Sequence, residues 1–374
     1  MRAKRVVISG GGTGGHVYPA LAVGKKLREK DPGLRLTFIG SHRSVEKKIM
    51  DRTGAHFIQL KIEGLKGRGL RSLVTLALLP FAFLKSLAIL VRLRPDLVIG
   101  VGGYSSGPVV LAAALMRIPT LILEQNLHPG YTNRLLVRWA QKAVVAFKDS
   151  LPFFKGKGVF LGNPVRDEFY ALRPKPRTSE LTLLVFGGSQ GSHVLNQAMT
   201  AALPLLKAEK GSLRIFHQTG KADYEWVRAS YIHHGFDEAV ISPYFFDMWR
   251  FFEKADLVIS RAGATTIAEL IASQKASILI PFAQASENHQ AKNAGELESI
   301  NGAEVILEKG LNPARLAEKI VFYIKHKERI TDMEKNLAAL RTDRPAERIA
   351  DLCFELMDAR AVGGSPWSRK LTGS

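Results

Sequence analysis

At 374 residues the chain is long for one hydrophobic core and suits two domains. An apolar content of 46% excludes general disorder, and a single cysteine, Cys353, excludes an intrachain disulfide framework or a cysteine-rich metal site and fits a reducing compartment. The net charge of +19 is uneven: residues 1–165 hold 26 Lys and Arg against 8 Asp and Glu, and residues 166–374 hold 27 against 26. The basic half fits an anionic membrane surface or a nucleic acid. With no zinc finger, RNP-type aromatic motif or helix-turn-helix pattern, nucleic acid is the weaker partner.

The chain opens on an apolar strand, Arg5-Val6-Val7-Ile8, too short for a signal-peptide core. It runs into Ser9-Gly10-Gly11-Gly12-Thr13-Gly14-Gly15-His16 and then a helix. Strand, glycine turn and helix aim backbone N–H groups and the positive end of a helix at an anion. His16 falls at the helix start, where the dipole disfavours imidazolium; it serves either as a neutral base or as a cap. Gly10, Gly12 and Gly15 fit dinucleotide-binding spacing, but the second strand ends in Gly40-Ser41-His42-Arg43, without the acid that holds a ribose. A helix is expected from Ser41, and residues 61–72 read as a basic, glycine-rich loop. Residues 73–91 form an apolar run with Lys85 near the middle, closed by Arg92 and Arg94. Its charge and its α/β flanks argue for a buried helix, one face of which can also rest on a bilayer.

Further along, strand–turn units end at Gly102-Gly103-Tyr104-Ser105-Ser106-Gly107-Pro108 and at Glu124-Gln125-Asn126. In open α/β sheets ligands collect at the carboxyl ends of strands, so these turns gather with the first. A proline- and charge-rich connector, Arg173-Pro174-Lys175-Pro176-Arg177, marks a boundary region, and the domains are set at 1–165 and 166–358, followed by a loose tail. The second half repeats the opening at residues 181–193, with glycine turn Gly187-Gly188-Ser189-Gln190-Gly191. Residues 255–270 give a strand, small turn residues and a helix starting near Thr265, a seat for a phosphate. Thr266 and Glu269 fit a capping box; alternatively the Glu269 carboxylate grips ribose hydroxyls. Polar residues from Gln284 to Gln290 follow another strand and suit sugar hydroxyls, and the remainder reads as helical. No metal-ligand spacing occurs, so a departing diphosphate would rely on helix ends and on cations such as Arg166.

Together these motifs, with Thr132-Asn133-Arg134, Gly162-Asn163-Pro164-Val165-Arg166, Arg261-Ala262-Gly263-Ala264-Thr265-Thr266 and His289-Gln290, closely resemble the MurG family of peptidoglycan glycosyltransferases. The resemblance covers about residues 4–358. It implies an α/β fold of the GT-B type, two Rossmann-like doubly wound domains facing a cleft. It implies inverting transfer of N-acetylglucosamine from UDP-N-acetylglucosamine to the muramoyl 4-hydroxyl of lipid I, giving lipid II, without a cofactor, at the cytoplasmic face of the bacterial inner membrane. The implied catalytic base is His16. The implied substrate contacts are Thr13, Gly14, Gly15 and Asn126 in the first domain. In the second they are Arg166, Ser189, Phe245, Ala264, Thr265, Thr266, Ile267, Ala268, Glu269 and Gln290. Phe245 stands where an aliphatic residue is common, and Ser192-His193 departs from the more usual residues. A UDP-sugar epimerase of similar build is the rival enzyme; a membrane-binding protein without activity and an NADP oxidoreductase are the remaining alternatives.

Overall fold

A computed structural model of the chain describes residues 2–11, 14–41, 50–51, 54–60, 71–173, 175–176, 178–285 and 288–363, with backbone only at 71–78 and 360–363. Thr13, most of the helix expected from Ser41, and residues 61–70 of the basic loop lie outside them. The chain divides into two compact units, residues 1–165 with 344 onward, and residues 166–343.

The first unit carries β1 (Arg5–Ser9), β2 (Arg35–Gly40), β3 (His56–Gln59), β4 (Leu97–Gly100), β5 (Thr120–Glu124), β6 (Lys142–Val145) and β7 (Gly158–Phe160). They pair in parallel in the order β3-β2-β1-β4-β5-β6-β7. The strands are short, near-continuous apolar runs because helices cover both faces of such a sheet. On one face the helix Gly14–Lys30 packs through Val23 and Leu27 against Ile8, Leu36 and Phe38. On the other, Leu90, Val109, Val110 and Leu136 come from the helices Arg71–Leu93, Ser106–Leu115 and Tyr131–Leu136 and cover Val7, Val98 and Ile122.

The second unit carries β8 (Leu181–Phe186), β9 (Leu213–Gln218), β10 (Val240–Ser242), β11 (Leu257–Ser260), β12 (Ser277–Leu279) and β13 (Ala303–Val305). These are again parallel, in the order β10-β9-β8-β11-β12-β13. In each sheet the chain reverses its direction of winding once, between β1 and β4 and between β8 and β11. Ligands of doubly wound folds bind outside the strand ends at that reversal.

Three sequence expectations change. The last helix, Pro345–Gly363, belongs to the first unit and not to the domain set at 166–358. Its Ile349, Ala350, Cys353 and Met357 fall at helical spacing and join the core around Val23 and Leu27. Lys30–Asp351 at 2.8 Å and Lys4–Asp358 at 2.7 Å lie along the same contact. The helix also runs to Gly363, past the point where the tail was expected to begin. Finally, β13 is a strand inside a stretch read as wholly helical. Three residues after Gly302 are too few to show a period of two.

Candidate active site

In the first unit the turns after β1 and β4 touch through their main chains. Gly10 and Gly11 follow β1, and Gly102 and Gly103 follow β4. Gly103 has φ +78°, and a Cβ there would fall 2.2 Å from the Gly11 carbonyl oxygen. Only glycine permits both the angle and that approach. His16 stands in the first turn of Gly14–Lys30, half-buried, with its ring against Gly102: a Cβ on Gly102 would lie 3.0 Å from Nε2. The sequence reading placed His16 and the second glycine turn together only by strand-end logic; the structure sets them in contact.

Asn126 closes this end of the sheet. Its backbone N–H and side-chain amide donate to Glu124 Oε1 at 3.0 and 3.1 Å. Gly130 N–H and Asn133 Nδ2 donate to Glu124 Oε2 at 3.0 and 2.9 Å. Burial pushes the Glu124 carboxyl up, against the pull of those four donors. Gln125, also buried, donates through Nε2 to Val101 O at 3.0 Å. Glu124 thus fixes the loop that presents Asn126, and Gln125 ties the turn after β4.

In the second unit, Ser189 sits half-buried in the turn after β8. That turn is held by Gly191, whose Cα packs on the Thr219 carbonyl beyond β9. Ser192 caps the helix His193–Ala202 by accepting from Leu195 N–H at 3.4 Å. It also accepts from Arg261 Nε at 2.9 Å. Arg261, buried after β11, donates from Nη1 to Glu308 Oε2 at 2.9 Å and to the Ile280 and Pro281 carbonyls. One guanidinium thereby joins the turns after β8 and β12.

The helix Ala264–Ser273 starts directly beyond β11, with Gly263 as its extended N-cap. A glycine cap brings no side chain, so the capping box read at Thr266 and Glu269 does not form, and Thr266 lies inside the first turn. The reason is register: a glycine cap puts Thr266 at the third helical position, where its hydroxyl cannot serve as the cap oxygen. Ala264 and Thr266 are half-exposed at this helix start and Thr265 is buried. Ile267 is 1% exposed and its N–H bonds Gly263 O at 2.9 Å, so it packs the core while its neighbours face the turn. Ala268 is half-exposed. Glu269 is buried on the same helix, and burial raises its carboxyl to about 7, against the Arg166 charge.

Arg166 begins the second unit as N-cap of Asp167–Ala171. Its guanidinium lies over the Phe169 ring and donates from Nη1 to Phe246 O at 3.1 Å. Phe245, 6% exposed, stacks on Phe251 with ring centroids 3.8 Å apart. Gln290 opens the helix His289–Ser299, and its Oε1 accepts from Phe282 N–H at 3.0 Å. Arg166, Phe245 and Glu269 are thus brought together, and Gln290 is fixed beside the segment after β12. Sequence reasoning passed over Gln218, the buried amide ending β9. The signal available was a polar residue closing an apolar strand just before Thr219-Gly220.

Two parallel doubly wound sheets, each with glycine turns and a helix start at its reversal point, match the GT-B fold of glycosyltransferases. Residues 6–145 match the Glycosyltransferase family 28 N-terminal domain and residues 182–349 its C-terminal domain. The chain belongs to glycosyltransferase family 28. It is 44% identical over 357 residues, 94% of this chain and 99% of the relative, to the UDP-N-acetylglucosamine--N-acetylmuramyl-(pentapeptide) pyrophosphoryl-undecaprenol N-acetylglucosamine transferase of Syntrophus aciditrophicus. Among solved structures, Acinetobacter baumannii MurG aligns with TM-score 0.73 and 28% identity, over 94% of this chain and 99% of that one. A putative UDP-N-acetylglucosamine 2-epimerase of Listeria monocytogenes aligns with TM-score 0.69 over 93% of this chain and 95% of that one. At 14% identity it shares the fold alone.

Proposed function

We propose that this chain transfers N-acetylglucosamine from UDP-N-acetylglucosamine to the muramoyl 4-hydroxyl of undecaprenyl-pyrophosphoryl-N-acetylmuramoyl pentapeptide, lipid I, with inversion, yielding lipid II. The observation that carries this is the identity with a transferase of that name across both units. The second unit takes the donor. Helix starts after β8 and β11, with Arg166, receive the diphosphate and stabilise it as it leaves. The Glu269 carboxylate accepts from the ribose hydroxyls. The Phe245 N–H is already bonded to Gln218, which leaves the Phe245 carbonyl for a uracil N–H. With Gln290 Oε1 engaged by Phe282, its Nε2 is the group offered to a sugar hydroxyl. His16 takes the acceptor's hydroxyl proton as that oxygen attacks the anomeric carbon. By the resemblance to the family, Thr13, Gly14, Gly15 and Asn126 are further substrate contacts.

The acceptor's lipid calls for a membrane-facing surface, and the first unit supplies one. Phe81, Leu84 and Val91 are 69%, 60% and 52% exposed on Arg71–Leu93, opposite the buried Ala82, Ser86 and Leu90. Tyr131, Leu135 and Trp139 are exposed on the same layer of the unit, with Lys85, Arg92, Arg134 and Arg138 exposed among them. Apolar side chains rimmed by cations suit an anionic bilayer surface. Among the described residues no helix is long and apolar enough to cross a membrane. In this reading the association is peripheral, at the cytoplasmic face of the inner membrane, where a nucleotide sugar meets a polyprenyl carrier.

The test is transfer of labelled N-acetylglucosamine to a lipid I analogue, with UDP-N-acetylgalactosamine as competing donor. Labelled lipid II is the expected product. Turnover of the donor without acceptor would replace this reading with an epimerase, and no binding of UDP-N-acetylglucosamine would remove the enzyme reading.

A further inference from the structure

Gln218 was met above as the partner of the Phe245 N–H, but its amide reaches two segments of the site. It ends β9 and is 1% exposed. Its Nε2 donates to Gly188 O at 2.9 Å, in the turn after β8. Its Oε1 accepts from Phe245 N–H at 2.7 Å, in the turn after β10. β9 runs between those two strands, and Gln218 is in register with Phe186 and Ser242, the last residues of each. One side chain therefore spans from a central strand to the exits of both neighbours.

The orientation of this amide is chemically fixed. A carbonyl needs a donor and an N–H needs an acceptor, so oxygen and nitrogen cannot exchange places. Glutamate would offer acceptors to both partners, and leucine would offer nothing. The Gly188 end also needs holding. Gly188 has φ +95°, and among the described residues nothing lies within 4 Å of where a Cβ would be. Its carbonyl is held by Gln218 and by Gly191 N–H at 3.1 Å. A buried amide bonded at both its oxygen and its nitrogen is well suited to fix geometry, because each broken bond would strand a polar group away from water.

We propose that Gln218 is a positioning residue for the nucleotide: its amide sets the spacing between the turn that receives the diphosphate and the Phe245 backbone that borders the base. This rests on the donor reading given above. A ligand that spans both segments gains from the fixed spacing, whereas a fragment that meets only one gains little. UDP spans both, uridine meets the base segment, and inorganic pyrophosphate meets the turn.

The experiment measures binding of UDP, uridine and pyrophosphate to the full-length protein and to Gln218→Leu and Gln218→Glu at pH 8 and pH 6. In both variants UDP affinity at pH 8 should fall by roughly 10- to 100-fold, the equivalent of about 1–3 kcal/mol for stranding a buried partner. Uridine and pyrophosphate should each change by less than about threefold, since fixed spacing helps only a ligand that uses both ends. For Gln218→Glu, the deficit in UDP affinity relative to the unaltered protein should shrink at pH 6. A buried carboxyl beside a carbonyl gains a proton readily and then donates to it. Gln218→Leu should show no such recovery. UDP affinity within twofold of the unaltered protein in both variants overturns the proposal. So does an equal loss for UDP, uridine and pyrophosphate, which a merely structural role predicts. Failure of the unaltered protein to bind UDP instead overturns the donor reading. Should both variants fail to fold, hydrogen exchange on the unaltered protein decides: protection of the Phe245 amide supports the clamp, and exchange at the rate of an open loop overturns it.

Discussion

Glu269→Gln separates two roles of one carboxyl by their opposite dependence on pH. In the folded protein the group titrates near 7 instead of 4.5, chiefly because it is buried. The unfolded chain therefore loses its proton first, and ionisation disfavours the folded state. No penalty exists below pH 4.5; it grows as pH rises through 7 and is complete above. Linkage makes it about 1 kcal/mol at pH 5.5 and about 3 kcal/mol at pH 8. Glutamine keeps the shape without the charge, so the variant should be more stable at pH 8 by up to that amount. For a unit of this size the gain is about 6–12 °C in Tm at pH 8 and less than half that at pH 5.5. Differential scanning calorimetry, following the transition of the second unit, reads it. The same carboxylate should serve the nucleotide: only the ionised form accepts from both ribose hydroxyls, and about a tenth is ionised at pH 6. UDP affinity should then rise by up to about tenfold from pH 6 to pH 8, and this rise should be smaller in the variant. An equal Tm change at both pH values, or a loss of stability at pH 8, would refute the burial argument. A UDP pH profile identical in the two proteins would refute the ribose role.

His16→Ala should lower turnover by about 10²- to 10⁴-fold, the usual contribution of a general base, while UDP affinity stays unchanged. Steady-state transfer and UDP titration check this, and normal turnover removes His16 from catalysis. Replacing Phe81 and Leu84 together by aspartate should lower binding to anionic vesicles by tenfold or more, because each buried apolar side chain contributes about 1.5–3 kcal/mol. Transfer to a water-soluble acceptor should be unaffected; vesicle sedimentation and a solution assay read the two effects.

The strands and glycine turns that build both reversal points are legible in the sequence because their signals are local. Apolar runs of four to six residues end in glycine, and a helix pattern follows at Pro19, Val109, Leu195 and Ile267. The terminal helix was misassigned for the opposite reason. Nothing near Ile349 or Cys353 states which sheet they cover, since the partners Val23 and Leu27 lie more than 300 residues away. The capping box at Thr266 and Glu269 failed on register: spacing alone fits, but the N-cap is Gly263, three residues earlier. Gln218 and Arg261 carry their meaning only in three dimensions. Each links turns that follow different strands, and a polar residue at a strand end does not say which turns it will join.

The same device recurs in the two sheets, and it has a physical reason. A turn that binds an anion leaves N–H groups turned outward, so its own pairing, such as Gly191 N–H on Gly188 O at 3.1 Å, holds it only in part. Glycines let two such turns pack main chain to main chain, as Gly103 does on Gly11 and Gly191 on Thr219. A buried glutamine amide then grips a carbonyl of the turn: Gln218 on Gly188 in the second unit, Gln125 on Val101 in the first. If the parallel is functional, the two amides serve different substrates. Gln125→Leu should strand the Val101 carbonyl and loosen the turn against which the His16 ring rests. The expected result is a fall in kcat of roughly 10- to 100-fold, matching about 1–3 kcal/mol for an unsatisfied buried group, with UDP affinity within about twofold of the unaltered protein, as expected for a site outside the base and ribose contacts. Transfer kinetics and UDP titration on the same preparation decide it. Unchanged kcat, or a loss in UDP affinity as large as that expected for Gln218→Leu, would show that the two amides do not divide the work in this way.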